Sequence, residues 1–236
     1  MASKIRLGVL GGALIHENAL KNLRKKKIKT DYGVCTLLEG ENIVFIPRHG
    51  IQKKVPPHKI NHRANILALK ESDIEHALGV CSVGSLKKEF APGLIAVPED
   101  YVGFWDTPTF FESEIKHITP SLDHHLRKII ASTASRLRFP VFDGGVYVQT
   151  TGPRLETKAE VKFLASLGDV VGMTMASEAT LAQEAGLKYA GLCSVDNFAN
   201  GIVDEKLDFE KVIKKSKEKS EKIIALINAV AEELNR

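Results

Sequence analysis

The residues of this chain that are best able to do chemistry follow short apolar runs. "IRLGVL" leads to Gly12, "IVFIP" to Arg48 and His49, "ALGVC" to Ser82, and "DVVGM" to Thr174. In an open α/β sheet, ligands bind beyond the carboxyl ends of the strands. Glycine lets backbone N–H groups approach a ligand, and hydroxyl and guanidinium groups add donors. Each charge-assisted bond to an oxyanion contributes roughly 1.5–3 kcal/mol, so the pattern predicts a phosphate site.

Each of these residues also has a structural explanation when it is taken alone. Arg48 could be a salt-bridge partner, and His49 could be a core or capping histidine. The first loop, "GGALI", is neither a GxGxxG nor a Walker sequence. A dinucleotide-binding oxidoreductase is an alternative because Asp31 lies ~20 residues beyond the first glycines, although no clean apolar strand precedes it.

Strand-like and helix-like segments alternate along the chain, which predicts an α/β layered fold. "INHRANILALKES", at 60–72, has apolar residues at helical spacing. Thr157 is followed three residues later by Glu160, a capping-box pattern that predicts a helix closing at Gly168. A further helix is predicted from Ser177, as its N-cap, to Gly186.

The C-terminal segment, about 208–236, predicts one amphipathic helix that packs on the sheet. Its stripe consists of Val212, Ser216, Ser220, Ile223, Ile227, Val230 and Leu234. The sequence contains no internal repeat, low-complexity segment or Pro/Gly linker. We therefore expect a single domain over 1–236.

Composition limits the class of protein. The 236 residues are 44% hydrophobic and 26% charged, which is ordinary for a globular chain. Cys35, Cys81 and Cys193 have no paired spacing, which argues against disulfides and zinc and favours a reducing compartment, so we expect a cytoplasmic protein. No apolar run reaches the ~20 residues that span a bilayer. The start lacks a small-residue cleavage site and is interpreted as the first strand.

The net charge of +4 is concentrated in 21–29 and in the lysines between 206 and 222. Aromatic residues do not interleave with these lysines, so a solvated hairpin and helix face are favoured over a nucleic-acid surface. His124 and His125 have no third ligand at a usable spacing, so no metal site is expected.

Several long motifs, taken in order, resemble the purine nucleoside phosphorylase and methylthioadenosine phosphorylase family. They are "RHG", "VPPHKINHRANILALK", "VGSLKKEFAPG", "GVYVQTTGPRLETKAEV" and "GDVVGMTMASE". The resemblance implies a three-layer α/β/α fold with a central mixed sheet. It also implies phosphorolysis of a purine nucleoside to free base and sugar 1-phosphate, without a metal or organic cofactor. The implied assembly is a homotrimer or a dimer of trimers.

The resemblance also assigns site residues. Phosphate would contact Arg48, His49, Gly12, the backbone at Ser82 and the hydroxyl of Thr174. The nucleoside would contact Met173 beneath the sugar, Glu156 and Asn197 at the base, Leu155 at a base-stacking position, and His117, which would reach a neighbouring subunit's site. Catalysis would fall to Asn197 and His49, with donors that stabilise the negative charge developing on the purine. Asp196, beside Asn197, is a further catalytic candidate on its own chemistry, because it departs from the family pattern.

Base preference follows from hydrogen-bond types. An ionised Glu156 only accepts, which suits the N1–H of a 6-oxopurine, and the Asn197 amide can donate to O6. The methylthioadenosine branch of the family typically carries Ser and Asp at these two positions. We therefore predict inosine, guanosine or methylthioinosine as substrate, with methylthioadenosine as the alternative.

The chain departs from the family pattern at several positions. Ala13 and Leu14 replace a hydroxyl residue and a glycine in the first loop, and Ser177 replaces a common proline. Leu155 replaces an aromatic residue. Asp196 replaces a threonine and is either a general acid towards purine N7 or a structural carboxylate, in a surface loop or as a cap, and the structural role is favoured. A nucleosidase and a non-catalytic nucleoside- or phosphate-binding protein remain alternatives.

Overall fold

The computed structural model describes residues 4–12, 14–15, 20–105, 107–204 and 209–236, with only the backbone described for 209–218. In this part of the chain, no helix is long and apolar enough to cross a membrane. Ala13, one of the departures from the family pattern, lies outside the described residues.

The described strands form one mixed sheet. They are β1 Leu7–Gly11, β2 Arg24–Thr30, β3 Gly33–Glu39, β4 Ile43–Pro47, β5 His76–Ser85, β6 Ile95–Val97, β7 Asp100–Val102, β8 Val141–Asp143, β9 Val146–Gln149, β10 Val170–Gly172 and β11 Lys188–Phe198. The order is β2-β3-β4-β1-β5-β10-β9-β7, and β5 also pairs with β11, which continues to β6 and β8. Strands β4, β1, β5 and β11 are mutually parallel, so their carboxyl ends lie at one edge of the sheet.

Helices cover both faces of the sheet. They are α1 His62–Lys70, α2 His124–Arg136, α3 Lys158–Leu164, α4 Met175–Glu184 and α5 Phe209–Glu233. Leu10 of β1 belongs to the core that contains α1 and α4, whereas Leu7 and Val9 belong to the core that contains α2 and α5. Successive side chains of a strand point to opposite faces, and this parallel strand is apolar on both. The three-layer α/β/α prediction is confirmed.

The local sequence signals placed the start of α3 correctly and the start of α4 wrongly, and the cap of α1 was not predicted. Asn61 caps α1 by accepting from the N–H of Ala64 at 3.0 Å. Thr157 and Glu160 form the predicted capping box of α3. The prediction that Ser177 caps α4 is wrong, because the helix begins at Met175 and Ser177 lies inside it. There Ser177 accepts from Gln149 Nε2 at 2.6 Å and donates its N–H to Gln149 Oε1 at 3.1 Å.

The first basic segment has the solvated character that the sequence favoured. Strands β2 and β3 pair as an antiparallel hairpin, and Arg24 to Lys27 are exposed. On α5 the buried side chains follow the predicted stripe at Ser220, Ile223, Ile227 and Val230. The side chains of the two earlier stripe positions, 212 and 216, lie outside the described residues.

Candidate active site

A narrow cradle forms where β1 and β4 end side by side. The N–H of Arg48 donates to the carbonyl of Gly11 at 2.8 Å, which holds the two strand ends together. A methyl group on Gly12 would lie 2.8 Å from His49 Cδ2, 2.9 Å from His49 Nε2 and 3.5 Å from Arg48 Nη1. Only glycine therefore fits at position 12 without displacing the imidazole. The structure brings these three predicted phosphate residues together.

Arg48 is fixed by a carboxylate that the sequence reasoning did not identify. Its Nε and Nη2 donate to Glu178 at 2.5 and 2.9 Å, while Nη1 and Nη2 donate to the carbonyls of Val80 and Leu10 at 3.0 and 2.9 Å. Both members of the ion pair are almost completely buried. Of the five N–H groups of a guanidinium, one on Nη1 remains without a partner among the described residues. Most of Arg48 is therefore structural, and one donor faces the cradle.

The charge of Arg48 is secured by this arrangement. Burial alone would lower its pKa, but the nearby carboxylate of Glu178 more than offsets the burial, so the pKa of Arg48 lies above its ordinary value. The spacing of α4 indicates that Glu178 is buried, because it lies three residues after Met175 and four before Ala182 on the buried face of the helix. A carboxylate on such a face requires a buried partner.

His49 presents one defined ring nitrogen to the cradle. Its Nδ1 lies 2.7 Å from the carbonyl of Val55, a contact that places the ring proton on Nδ1. Burial, together with the charge of Arg48, lowers the pKa of His49 against the opposing effect of the Val55 carbonyl. The neutral ring then carries its lone pair on Nε2, the atom beside Gly12. Such an acceptor suits the P–OH group of hydrogen phosphate.

Two further cavities adjoin each other. The first, the Met173 cavity, has a volume of about 210 Å³ and is lined by Met173, His62, Gln149 and other residues. The second, the Glu156 cavity, has a volume of about 270 Å³. Trp105, Thr150 and Thr151 line both cavities, so the two are adjacent. The sequence analysis did not assign His62, Trp105 or Thr150 to the site.

Glu156 is held in place at its own cavity. Its side chain is buried, and Oε1 accepts from the hydroxyl of Thr150 at 2.6 Å. The backbone carbonyl of Glu156 accepts from Asn200 at 3.2 Å. The second carboxylate oxygen, Oε2, has no partner among the described residues. Glu156 can therefore accept one hydrogen bond from a ligand that enters this cavity.

Thr174 and Met173 lie where β10 meets α4. The Thr174 N–H donates to the hydroxyl of Tyr147 at 3.1 Å, and the Thr174 hydroxyl lies 3.7 Å from the thiol of Cys81. As the N-cap residue of α4, Thr174 makes no side-chain capping bond, so its hydroxyl is not used by the helix. The sulfur of Met173 packs against Gly152, where a methyl group would lie only 2.4 Å from it. This packing fixes the wall of the Met173 cavity.

Asp196 is a buried centre of hydrogen bonds. Its carboxylate accepts from the hydroxyls of Ser82 at 2.5 Å and Ser194 at 2.7 Å, and from Lys219 Nζ on α5 at 3.4 Å. It is buried, so the expected surface-loop position is wrong. A carboxylate engaged by three protein donors is also poorly placed as an acid towards purine N7. The side chain of Ser82 points to Asp196, which leaves its backbone for the predicted phosphate contact.

The remaining predicted residues lie outside the cavities described above. The Asn197 amide donates to the neighbouring Phe198 carbonyl at 2.8 Å, so it must turn to reach a base. Leu155 is 40% exposed and lines neither cavity. His117 is exposed and lines neither cavity, and its predicted contact with a neighbouring subunit stays a prediction. Leu14 is buried in the core.

A third cavity is lined in part by the cradle itself. It has a volume of about 260 Å³ and shares Gly12 and His49 with the cradle, but its walls are mainly apolar, including Leu20, Leu38 and Phe45. A nucleoside needs several hydrogen-bond partners, so this cavity fits it less well than the pair described above.

The fold and the site together define an α/β protein in which a glycine, an arginine and a histidine meet at strand ends, with a polar, two-part cavity in the same chain. The chain belongs to the phosphorylase superfamily, whose model matches residues 11–232. It is 40% identical over 227 residues to the probable 6-oxopurine nucleoside phosphorylase of Archaeoglobus fulgidus, with 94% of this chain and 93% of the relative covered.

Other relatives carry related names. The probable S-methyl-5'-thioinosine phosphorylase of Methanocaldococcus jannaschii is 40% identical, with 94% of this chain and 90% of the relative covered. The 6-oxopurine nucleoside phosphorylase of Pyrococcus furiosus is 36% identical, with 95% and 91% covered. Among solved structures, methylthioadenosine phosphorylase from Schistosoma mansoni in complex with adenine superposes with a TM-score of 0.88 at 25% identity, covering 98% of this chain and 92% of that one.

Proposed function

We propose that this chain catalyses the phosphorolysis of 6-oxopurine nucleosides. The observation that carries the proposal is the position of Glu178, which joins the two halves of the site. Its carboxylate pairs with Arg48 of the oxyanion cradle, and its Oε1 lies 3.8 Å from Nδ1 of His62, which lines the Met173 cavity. A phosphate in the cradle would therefore lie beside a sugar in that cavity, and the base would extend into the adjacent Glu156 cavity.

The reaction needs little from the protein beyond position and charge. An oxygen of phosphate forms a bond to the anomeric carbon while the bond from that carbon to purine N9 breaks, and the electron pair of the broken bond leaves with the purine. The cation at Arg48 and the acceptor at His49 orient the hydrogen phosphate. The dianion in turn stabilises the cationic character of the sugar as the glycosidic bond opens. No metal or organic cofactor enters this scheme, in which phosphate is the co-substrate.

Selection of a 6-oxopurine follows from Glu156. Thr150 donates to Oε1, and the remaining oxygen can accept the N1–H that hypoxanthine and guanine carry. Adenine has no hydrogen on N1, so it would place a lone pair against a carboxylate. The names of the relatives, 6-oxopurine nucleoside phosphorylases and S-methyl-5'-thioinosine phosphorylases, support the same substrate class.

A base-release assay tests the proposal directly. Inosine, guanosine, adenosine, methylthioinosine and methylthioadenosine are each incubated with the enzyme, with and without phosphate, and free base is quantified by chromatography. We expect phosphate-dependent release from the 6-oxopurine nucleosides. Release that does not need phosphate would identify a nucleosidase instead. Faster cleavage of methylthioadenosine than of inosine and methylthioinosine would contradict the base assignment.

Glu156→Gln separates base recognition from fold. The amide keeps one oxygen for Thr150 but presents an NH₂ group to the N1–H, so kcat/KM for inosine should fall about 10–100-fold, the cost of roughly 1.5–3 kcal/mol for one bond to a charged group. Glu89→Gln, which makes the same chemical change at an exposed position, is the matched control. Equal activity of the two variants on inosine would contradict the role of Glu156.

We also propose that the enzyme is a cytoplasmic homotrimer or dimer of trimers. Three buried, free cysteines support a reducing compartment. Exposed apolar side chains at Phe104, Trp105 and Ile115 support a subunit contact near the cavities. Light scattering coupled to size exclusion measures the state, and a monomer at assay concentration would refute the assembly.

A further inference from the structure

His62 is a buried imidazole in the Met173 cavity, and its Nδ1 makes no hydrogen bond to the part of the chain that the structure describes. It is the first residue of α1, its side chain is 10% exposed, and it lines the cavity together with Met173. Nδ1 is buried and has no hydrogen-bond partner among the described residues. Buried polar groups are nearly always paired in native proteins, so such an atom indicates a role in binding or catalysis.

The surroundings of His62 fix its charge. Burial is the main cause that lowers its pKa to about 3, and the charge of Arg48, with any charge on His49, acts in the same direction within that shift. Glu178 is the acidic group that faces the ring, and its Oε1 lies 3.8 Å from Nδ1. The imidazole is therefore neutral and carries a single N–H.

The position of Glu178 also selects the tautomer. At 3.8 Å the carboxylate is too distant for a hydrogen bond to Nδ1, but its negative charge favours the ring form with the proton on that nitrogen. The lone pair then resides on Nε2. Because Nδ1 is the buried nitrogen, Nε2 is the ring atom left to meet a ligand in the cavity. In this form, Nε2 can accept a hydrogen bond from a ligand in the cavity, but it cannot donate one.

The sugar supplies a donor at the matching place. Phosphate attacks the anomeric carbon on the face opposite the base, and the 2'-hydroxyl of ribose lies on that face, on the carbon next to the anomeric one. His62 is joined through Glu178 to Arg48 of the cradle, so it lies on the phosphate side of the sugar. On the proposed function, we infer that His62 accepts a hydrogen bond from the ribose 2'-hydroxyl and thereby selects ribonucleosides over 2'-deoxyribonucleosides.

The test compares two substrates in several enzymes. Inosine and 2'-deoxyinosine are assayed at saturating phosphate with the wild type, His62→Phe and His62→Gln. Phe keeps a planar ring without nitrogen, whereas Gln keeps an acceptor oxygen. His62→Leu is the second nitrogen-free variant if the Phe variant does not fold. His124→Phe is the matched control, because His124 is likewise the first residue of its helix but is exposed.

The expected result is a change in preference rather than in activity alone. The wild type and His124→Phe should favour inosine in kcat/KM by roughly 10-fold, as one well-placed hydrogen bond allows. The nitrogen-free variant should reduce this ratio to about 1–2, and His62→Gln should retain most of it. A merely structural role would lower both rates together and leave the ratio unchanged.

Two results would overturn the inference while leaving the proposed function intact. One is an active nitrogen-free variant with the ratio of the wild type. The other is a variant whose only change is a raised KM for phosphate, which would place His62 on the oxyanion instead of the sugar. Absence of phosphate-dependent base release in the wild type, from either nucleoside, would overturn the proposed function and this inference with it.

Discussion

The buried pair of Arg48 and Glu178 offers the sharpest test of how this site is built. Three donors converge on the Glu178 carboxylate: Arg48 Nε at 2.5 Å, Arg48 Nη2 at 2.9 Å and the hydroxyl of Tyr189 at 2.8 Å. In Glu178→Gln, one oxygen becomes an NH₂ group that faces donors, and the guanidinium loses its counter-charge in the protein interior. Breaking one side of a buried ion pair costs about 3–5 kcal/mol, because the remaining charge stays desolvated.

The loss is measurable by urea and thermal unfolding. For a chain of this size, 1 kcal/mol shifts the melting temperature by about 2–4 °C, so Glu178→Gln should melt roughly 6–20 °C below the wild type. Glu41→Gln is the matched control, since Glu41 pairs with Lys4 at 2.7 Å on the surface and its loss should leave the midpoint unchanged.

A double substitution distinguishes charge from packing. Replacing both partners by apolar residues, Arg48→Met with Glu178→Leu, removes the uncompensated charge and should recover much of the lost stability. It should not recover phosphate-dependent activity, because the cradle has lost its cation. If Glu178→Gln unfolds within about 1 kcal/mol of the wild type, the pair is not the buried, charged contact described here, and the reasoning fails.

Four further predictions follow from the same geometry. His62 has a pKa of about 3 in the folded protein against its ordinary 6.5, so it takes up a proton on unfolding below pH 6.5, and the wild type should lose stability as pH falls from 6.5 towards 3. In His62→Phe, the free energy of unfolding measured with urea should fall less steeply with pH, by up to about 1.4 kcal/mol per pH unit. Equal slopes in the two proteins would contradict this prediction. Asp196 holds the predicted phosphate residue Ser82 and directly precedes the predicted base residue Asn197, so Asp196→Asn should raise KM for phosphate and for nucleoside together, several-fold more than the exposed control Asp31→Asn. A change in only one of the two KM values would contradict this link. Trp105, the single tryptophan, lines both cavities, so hypoxanthine should change its fluorescence saturably, and no change under conditions where dialysis shows binding would contradict this. The three buried cysteines should react with a thiol reagent only after denaturation, and rapid reaction of the native protein would disagree.

Signals confined to a few neighbouring residues predicted the structure well. The capping box of Thr157 and Glu160 depends on residues three apart, and the structure shows both of its bonds. The strand ends were equally visible, because an apolar run followed by glycine or a polar residue is a local pattern. The meeting of Gly12, Arg48 and His49 followed from the rule that parallel strands share one carboxyl edge. The sequence showed that Arg48 is charged, but it did not show which way the guanidinium points.

Contacts between distant segments explain what the sequence left hidden. Serine is a preferred N-cap residue, yet the hydroxyl and the N–H of Ser177 both bond to Gln149 from β9, and the helix begins earlier. An aspartate after a strand is typical of a loop, but Asp196 accepts hydrogen bonds from Ser82 on another strand and from Lys219 on α5. The partner of Arg48 lies 130 residues away on α4. Neither spacing nor propensity records such pairings, because the tertiary fold selects them.

The site depends on two buried carboxylates that link its halves in the same way. Glu178 contacts Arg48 on the proposed phosphate side and faces His62 on the proposed sugar side. Asp196 fixes Ser82, a predicted phosphate residue, and immediately precedes Asn197, a predicted base residue. Since a buried carboxylate remains in place only while its donors are in place, a shift at one half of the site is resisted by the other. Phosphate and nucleoside should therefore bind with positive coupling, each lowering the KM of the other, and independent KM values would show that the two halves are held separately.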